Sequence, residues 1–214
     1  MSQSSFGNKF KVTTWGESHG KALGAVIDGC PAGLPLCEED IQKFLDRRKP
    51  GQSRYTTARK EGDLVEILSG VFEGKTTGTP ISLMVRNTDQ RSRDYGNIAY
   101  SYRPGHADYT FDQKYGFRDY RGGGRSSGRE TIGRVAAGAI ASKILEELGI
   151  SICTYTRSIG PVEIASFNKE EIHQNAFYMP DAQAAVKAGE YLEECMKNQD
   201  SAGGVIECRI TGTP

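Results

Sequence analysis

Alternating apolar and polar side chains near the N-terminus predict two neighbouring strands followed by a helix. The segment Phe10–Trp15 alternates and is rich in strand-favouring residues, and a second strand is predicted over Leu23–Asp28. Apolar residues at helical spacing predict a helix over Glu38–Arg48, with acids in its first turn and arginines in its last, as the helix dipole favours. Pro50 and Gly51 follow shortly after and would stop it.

The middle of the chain predicts a hairpin and then a long irregular stretch. Leu64–Phe72 and Ile81–Val85 have strand patterns and are joined by a glycine- and threonine-rich loop. Asn87–Gly128 shows no regular period, which indicates either disorder or a functional loop system. Its many tyrosines and phenylalanines argue against plain disorder.

A long helix is predicted over Arg129–Leu148. Ser127 and Glu130 stand at the spacing of a capping box, and Gly149 is a natural residue to follow the last turn. Because the helix is rich in alanine and glycine, we expect it to pack very closely against another element, in the interior of the fold.

The C-terminal part predicts further strands and one amphipathic helix. Strands are expected over Ile150–Thr156, Pro161–Ala165 and Gly204–Ile210, and the helix over Asp181–Lys197. A strand so near the last residue, with no closing element after it, predicts that these residues are part of a longer protein.

The charge balance argues against a general nucleic-acid binder. The chain has 27 basic and 27 acidic side chains, whereas nucleic-acid-binding domains are usually strongly basic. Residues 43–60 nevertheless contain seven basic side chains and one acidic side chain. This basic run would either steer an anionic ligand or form an ordinary solvated face, and charge alone favours the second reading.

Cysteine usage and the N-terminus indicate a reducing compartment. The five cysteines are odd in number and form no CxxC pair, so we expect buried free thiols and no metal site. The first nine residues are polar and show no secretory signal. No apolar run approaches the ~20 residues of a membrane span, and a cytoplasmic protein with no membrane partner is expected.

The stretch Arg121–Glu130 predicts an anion site. It places glycines, two serines and three arginines directly before the long helix. The first N–H groups of a helix have no intrahelical partner and lie at the positive end of its dipole, and arginine adds bidentate hydrogen bonds to phosphate. We therefore expect a phosphate group to bind here.

Two of the three histidines are candidates for proton transfer. His19 and His106 both lie in glycine-flanked turns, while His173 lies in a polar helical context that indicates an ordinary surface position. For the first two, a catalytic role and a structural hydrogen bond are about equally supported.

Several familiar motifs are excluded at these turns. Gly16–Gly20 matches GxSxG, but a second strand follows it instead of a helix, and neighbouring side chains of an extended chain would point apart, so a Ser18–His19 hydrolase pair is not expected. No complete P-loop or GxGxxG fingerprint occurs. One RGG-like segment, Gly122–Arg125, is weak evidence for RNA binding, since it occurs once and runs into a strong helix start.

Taken together, four stretches resemble the chorismate synthase family. They are Gly16–Gly20 with the following Val26–Gly33, the basic loop Arg47–Arg54, the turn Arg103–Asp108, and Gly124–Thr131 continued through Arg134–Ala139. Their order and spacing are compatible with that family. Gly128 stands where alanine is common, which is a small departure.

The resemblance implies a lyase of the shikimate pathway. Such an enzyme converts 5-enolpyruvylshikimate 3-phosphate to chorismate and phosphate by anti-1,4-elimination and requires reduced FMN, with NADPH as a candidate reductant. It also implies an α+β fold, a β–α–β sandwich with interior helices, assembled as a homotetramer. The whole of residues 1–214 would be the N-terminal portion of one such domain, and the remaining flavin and substrate contacts would lie beyond it.

The resemblance also implies roles for individual residues. His19 would protonate the departing phosphate, and His106 would stabilise the reduced flavin. Substrate anions would be bound by Ser18, Arg48, Arg54, Arg103 and Arg129, and FMN would be held by Arg125, Ser126, Ser127 and His106. The alternative is a module that binds anions or nucleotides without catalysis, for which the same arginines would only bind.

Overall fold

The computed structural model describes residues 4–49, 62–88, 99–120 and 123–213. In this part of the chain the strands are β1 (Ser5–Phe6), β2 (Lys11–Gly16), β3 (Ala22–Asp28), β4 (Val65–Ser69), β5 (Val71–Phe72), β6 (Lys75–Thr76), β7 (Ile81–Arg86), β8 (Ser151–Ile159), β9 (Val162–Glu163) and β10 (Gly204–Thr211). The helices are α1 (Glu38–Arg48), α2 (Asp108–Tyr115), α3 (Thr131–Glu147) and α4 (Ala182–Lys197). The predicted mixture of helix and sheet is confirmed.

The chain divides into two compact units, with the boundary near the C-terminal end of α3. The first contains the described residues up to Ile144, and the second contains those from Leu145 onward. Among the described residues, no helix combines the length and the apolar character needed to cross a bilayer.

The first unit is built on a five-stranded antiparallel sheet of order β1-β2-β3-β7-β4. One face carries the buried, alternating side chains of β2, β3 and β7, and Ile41 and Leu45 of α1 join the same core. The predicted hairpin between Leu64–Phe72 and Ile81–Val85 is confirmed, since β4 pairs with β7.

The structure corrects three details of the sequence prediction. The strand expected over Leu64–Phe72 is broken at Gly70, which has φ +83° and lies against Ile81, so that β4 ends there and a small β5–β6 ribbon follows. The irregular stretch contains α2, which the apolar pattern missed. Cys37 and Cys208 are exposed, whereas all five free thiols were expected to be buried.

The start of the long helix also differs from the prediction. Two 3₁₀ turns, Gly124–Ser126 and Gly128–Glu130, precede α3. Ser127 accepts a hydrogen bond from the Arg129 amide, but the Glu130 carboxylate binds Thr14 and Arg125 instead of turning back to Ser127. The capping box was therefore wrong, because a tertiary contact with β2 takes the glutamate.

Helix α3 packs one face directly against the backbone of the sheet. Ile132, Ala136 and Ile140 are buried on this face. A side chain at Gly133 would lie 2.9 Å from the Gly24 carbonyl oxygen and 3.0 Å from Thr14 Cγ2. The absence of a side chain at Gly133 thus lets the N-terminal turns of α3 reach β2 and β3.

The second unit is a three-stranded antiparallel sheet of order β10-β8-β9 together with α4. Asp181 caps α4 by accepting from the amides of Gln183 and Ala184, and its other oxygen accepts from Ala165 and Ser166. These backbone hydrogen bonds, led by the one from Ala184, lower the pKa of Asp181 to about 2.

We expect Gly133→Ala to destabilise the chain by about 1–3 kcal/mol, because the added methyl group overpacks the contact with β2 and β3. The control is Gly138→Ala in the same helix, where an added Cβ meets nothing within 4 Å and alanine's higher helix propensity stabilises by up to about 1 kcal/mol. Thermal unfolding followed by circular dichroism measures both. Equal melting temperatures for the two variants would contradict the close packing of α3.

Candidate active site

The turn between β2 and β3 presents two buried polar side chains. Ser18 and His19 are 4% and 5% exposed. Ser18 Oγ lies 3.1 Å from His19 Nδ1. The expectation that these two side chains point apart was wrong, because residues 18 and 19 lie in a tight turn and not in an extended segment. The pair is therefore a hydrogen-bonded unit held inside the protein.

A buried carboxylate joins two of the predicted arginines. Asp63 precedes β4, and its side chain is 0% exposed. Its Oδ2 accepts a hydrogen bond from Arg48 Nη1 at 2.8 Å, and its Oδ1 forms an ion pair with Arg129 Nη1 at 3.0 Å. Arg48 comes from the last turn of α1 and Arg129 from the turn before α3, so Asp63 brings the ends of two helices to one point.

Asn87, directly after β7, connects this arginine pair to the Ser18–His19 turn. Its Oδ1 accepts from Arg129 Nε and Nη2 at 3.2 and 2.9 Å. Its Nδ2 donates to the carbonyl oxygens of Glu17 and Gly20 at 3.0 and 2.8 Å. Both ends of the amide are used, and the turn that carries Ser18 and His19 is therefore fixed relative to Arg129.

The glycine-rich loop before α3 is held by its own arginine. Arg125 Nη1 donates to the Gly16 carbonyl at 2.9 Å, and Nη2 donates to Thr14 Oγ1 at 2.8 Å and Glu130 Oε1 at 3.0 Å. The Arg125 guanidinium thus binds the end of β2 and ties the loop to the sheet.

The two serines of this loop differ in their surroundings. Ser126 is exposed, and its hydroxyl donates to the Gly123 carbonyl at 2.7 Å. Ser127 is half-buried and accepts from the Arg129 amide at 3.3 Å. Gly124 has φ +53°, and its carbonyl accepts from the Ser18 amide at 3.4 Å, so the loop lies against the Ser18 turn.

Arg103 forms a bidentate pair with Asp108 at the start of α2. Arg103 Nε and Nη2 each donate to one carboxylate oxygen at 2.8 Å. These bonds lower the pKa of Asp108 to about 2, with Arg118 nearby adding a smaller effect. The pair stabilises the turn that carries His106.

His106 is exposed on this turn. Its Nδ1 lies 3.2 Å from the Pro104 carbonyl oxygen, and because a carbonyl can only accept, Nδ1 carries a proton. The described contacts of His106 stay within its own turn, and none joins it to the Asp63 network. Arg54, the remaining predicted site residue, lies outside the described residues.

A cavity of about 450 Å³ lies beside the glycine-rich loop. Gly123, Gly124 and Ser126 form one wall, and aromatic side chains of α2 and the segment after it form another, with Phe111, Tyr115 and Phe117 contributing. Its volume is typical of small-molecule sites.

The sequence matches a family model described as chorismate synthase over residues 10–214. The chain belongs to the chorismate synthase family. It is 71% identical to a protein of Agathobacter rectalis and 67% identical to one of Lachnoclostridium phytofermentans, both named chorismate synthase. Each match covers 100% of this chain and 59% of the relative.

A solved structure agrees with the family match. The crystal structure of a chorismate synthase superposes with a TM-score of 0.77 at 34% identity, covering 97% of this chain and 59% of the other. The chain therefore spans about three-fifths of the length of the family members that it matches.

Sequence reasoning missed two residues that organise the site, Asp63 and Asn87. Asp63 is the second of two acids that follow the basic run, and Asn87 stands at the end of a strand. The sequence position of each residue weakly indicates a role in the functional site. Acidic residues near a cluster of arginines, and polar residues at the ends of strands, often belong to functional sites.

We expect Arg103→Gln to raise the pKa of Asp108 from about 2 towards the ordinary value of 3.8, because the Arg103 hydrogen bonds are the largest cause of its lowering. Arg118→Gln, the control, should raise it less. Titration of the Asp108 carboxyl carbon by NMR measures both. An Asp108 pKa that stays near 2 in the Arg103 variant would contradict the assigned cause.

Proposed function

We propose that this protein is a shikimate-pathway lyase that converts 5-enolpyruvylshikimate 3-phosphate to chorismate and phosphate. The observation that carries the proposal is the convergence of Ser18, His19, Arg48 and Arg129 on one network through Asp63 and Asn87. These four residues come from three separate family motifs. Family membership does not favour the alternative of a module that only binds anions or nucleotides.

The charges of the site suit this substrate. It carries two carboxylates and one phosphate, and arginine forks match both groups. Arg48 and Arg129 against Asp63 leave one positive charge in a largely buried place, where attraction to an anion is stronger than at the surface. We assign Arg54 and Arg103 to the same substrate. The ion pair with Asp108 fixes the position of the Arg103 side chain.

His19 is assigned to the departing phosphate. In its imidazolium form His19 carries a proton on each nitrogen, and Nδ1–H donates to Ser18 Oγ. Nε2 would give its proton to a phosphate oxygen as the C–O bond of the substrate breaks, which leaves a neutral imidazole. Arg48 and Arg129 would stabilise the charge that develops on the leaving group, which is usually a large part of catalysis.

The residues expected to hold reduced FMN fit that role in part. His106 and Ser126 are exposed and belong to turns, so both can face a ligand. With Nδ1–H bound to the Pro104 carbonyl, His106 donates from Nε2 only as the imidazolium, a form that suits an anionic reduced flavin. Arg125 binds β2 through both of its Nη atoms, and its side chain also lines the cavity beside the glycine-rich loop, so we assign it to hold the loop that faces the flavin. When bound, FMN supplies electron density to the breaking bond.

Several finer features belong to the same proposal. Ser127 would contribute to the flavin site, and NADPH is a candidate reductant of the flavin. The fold would be a β–α–β sandwich with α3 in its interior, forming one domain in a homotetrameric, cytoplasmic enzyme without nucleic-acid or membrane partners.

We expect phosphate release from 5-enolpyruvylshikimate 3-phosphate only with reduced FMN. The anaerobic assay compares the 214-residue chain with a form in which it is joined to the C-terminal part of the Agathobacter rectalis relative, which supplies the length not covered here. Release by either form supports the proposal. Release independent of flavin, or none from the joined form while the relative itself is active, would contradict it.

In the form that turns over substrate, His106→Ala should lower kcat by about a hundredfold or more while changing substrate affinity by less than about threefold. The control is His173→Ala, since His173 lies on an exposed 3₁₀ turn of the second unit and should be replaceable without loss. Full activity of the His106 variant would remove this histidine from the mechanism.

A further inference from the structure

The Asp63 carboxylate has no role in the chemistry described above, yet it touches both arginines of the proposed anion site. We propose that Asp63 is a positioning residue that sets Arg48 and Arg129 to bind one substrate molecule together. This inference rests on the proposed function. It states that the affinity of the site for substrate depends on Asp63.

The first argument is electrostatic. Two guanidinium groups repel each other at short distance, and the repulsion is stronger where water is excluded. Each oxygen of Asp63 receives one of them, at 2.8 Å for Arg48 and 3.0 Å for Arg129. The carboxylate therefore allows the two arginines to lie close together. It neutralises only one of the two charges, so the group remains positive.

The second argument is that each arginine is also hydrogen-bonded to residues other than Asp63. Arg48 also donates to Thr131 Oγ1 at 3.2 Å and to the Gly128 carbonyl at 3.4 Å. Arg129 is held by Asn87. Asp63 is thus the point at which two separately anchored side chains meet, and their relative geometry is set there.

The third argument is the backbone at Asp63. Its φ is +45°, a conformation that non-glycine residues rarely adopt. The side chain of Gln42 in α1 holds this backbone segment with two hydrogen bonds. Its Nε2 donates to the Asp63 carbonyl at 3.3 Å, and its Oε1 accepts from the Val65 amide at 3.0 Å. A strained position that is held so firmly, with a fully buried charge, is typical of functional sites.

Two other roles would give different results. A carboxylate that only stabilises the fold would affect melting temperature without affecting substrate affinity at temperatures where the protein is folded. A carboxylate that competes with substrate for the arginines would weaken binding in the wild type, so that its removal would tighten binding.

The test is calorimetric titration of the chain with 5-enolpyruvylshikimate 3-phosphate for the wild type, Asp63→Asn and Asp40→Asn. The Asp63→Asn substitution keeps the shape of the side chain and removes its negative charge. The NH₂ group of the new amide cannot accept a hydrogen bond, so one of the two arginines loses its acceptor. Asp40→Asn breaks an ion pair between α1 and Lys143 in the same unit, away from both arginines, and serves as the control. Circular dichroism confirms that each variant is folded at the titration temperature.

We expect Asp63→Asn to weaken substrate binding by about tenfold to a hundredfold, the effect of losing a hydrogen bond to a charged group, and Asp40→Asn to leave it unchanged. In the joined form that turns over substrate, Asp63→Asn should raise KM more than it lowers kcat. Unchanged or tighter binding by Asp63→Asn would overturn the inference. If neither the wild-type chain nor the joined form binds substrate, that result would instead contradict the proposed function on which the inference rests.

Discussion

The architecture of the site depends on one constraint, the convergence of two guanidinium groups on a single buried carboxylate. Arg48 lies in the last turn of α1 and Arg129 in the 3₁₀ turn before α3, and the two are 81 positions apart along the chain. Without a counter-charge their repulsion would drive them apart, and with two counter-charges they would have no net attraction for an anion. One aspartate between two arginines satisfies both conditions, because it permits the close approach and leaves a positive charge.

That constraint in turn depends on the sheet. Arg129 reaches Asp63 from a turn that lies close to β2, and Gly133 at the start of α3 leaves room for this approach, since a side chain there would meet the Gly24 carbonyl of β3 and Thr14 of β2. Glu130 fixes the same turns by binding Thr14 and Arg125. The glycine-rich loop is consequently held from two directions, by Arg125 to the end of β2 and by the Ser18 amide to Gly124. Small residues and internal ion pairs here set the position of the site residues.

Local patterns in the sequence predicted the scaffold well and the site in part. The bounds of α1 were predicted correctly because charges of opposite sign mark its two ends, and the hairpins were predicted because one face of the sheet is buried and the other is not. Helix α2 was missed because only Phe111 and Tyr115 give it an apolar spacing. The roles of Asp63 and Asn87 could not be predicted, since their partners lie 15 to 70 residues away and are brought together only by the fold. The same reason explains Arg125, because its partners Thr14 and Gly16 in β2 lie more than 100 residues earlier in the chain.

The most direct measurement of the central claim is a crystal structure of the chain with 5-enolpyruvylshikimate 3-phosphate. The account predicts anionic groups of the substrate within about 3 Å of the guanidinium nitrogens of both Arg48 and Arg129, with each arginine still bound to Asp63. A substrate bound elsewhere, or an arginine that leaves Asp63 in order to bind it, would contradict the claim that this carboxylate assembles the anion site.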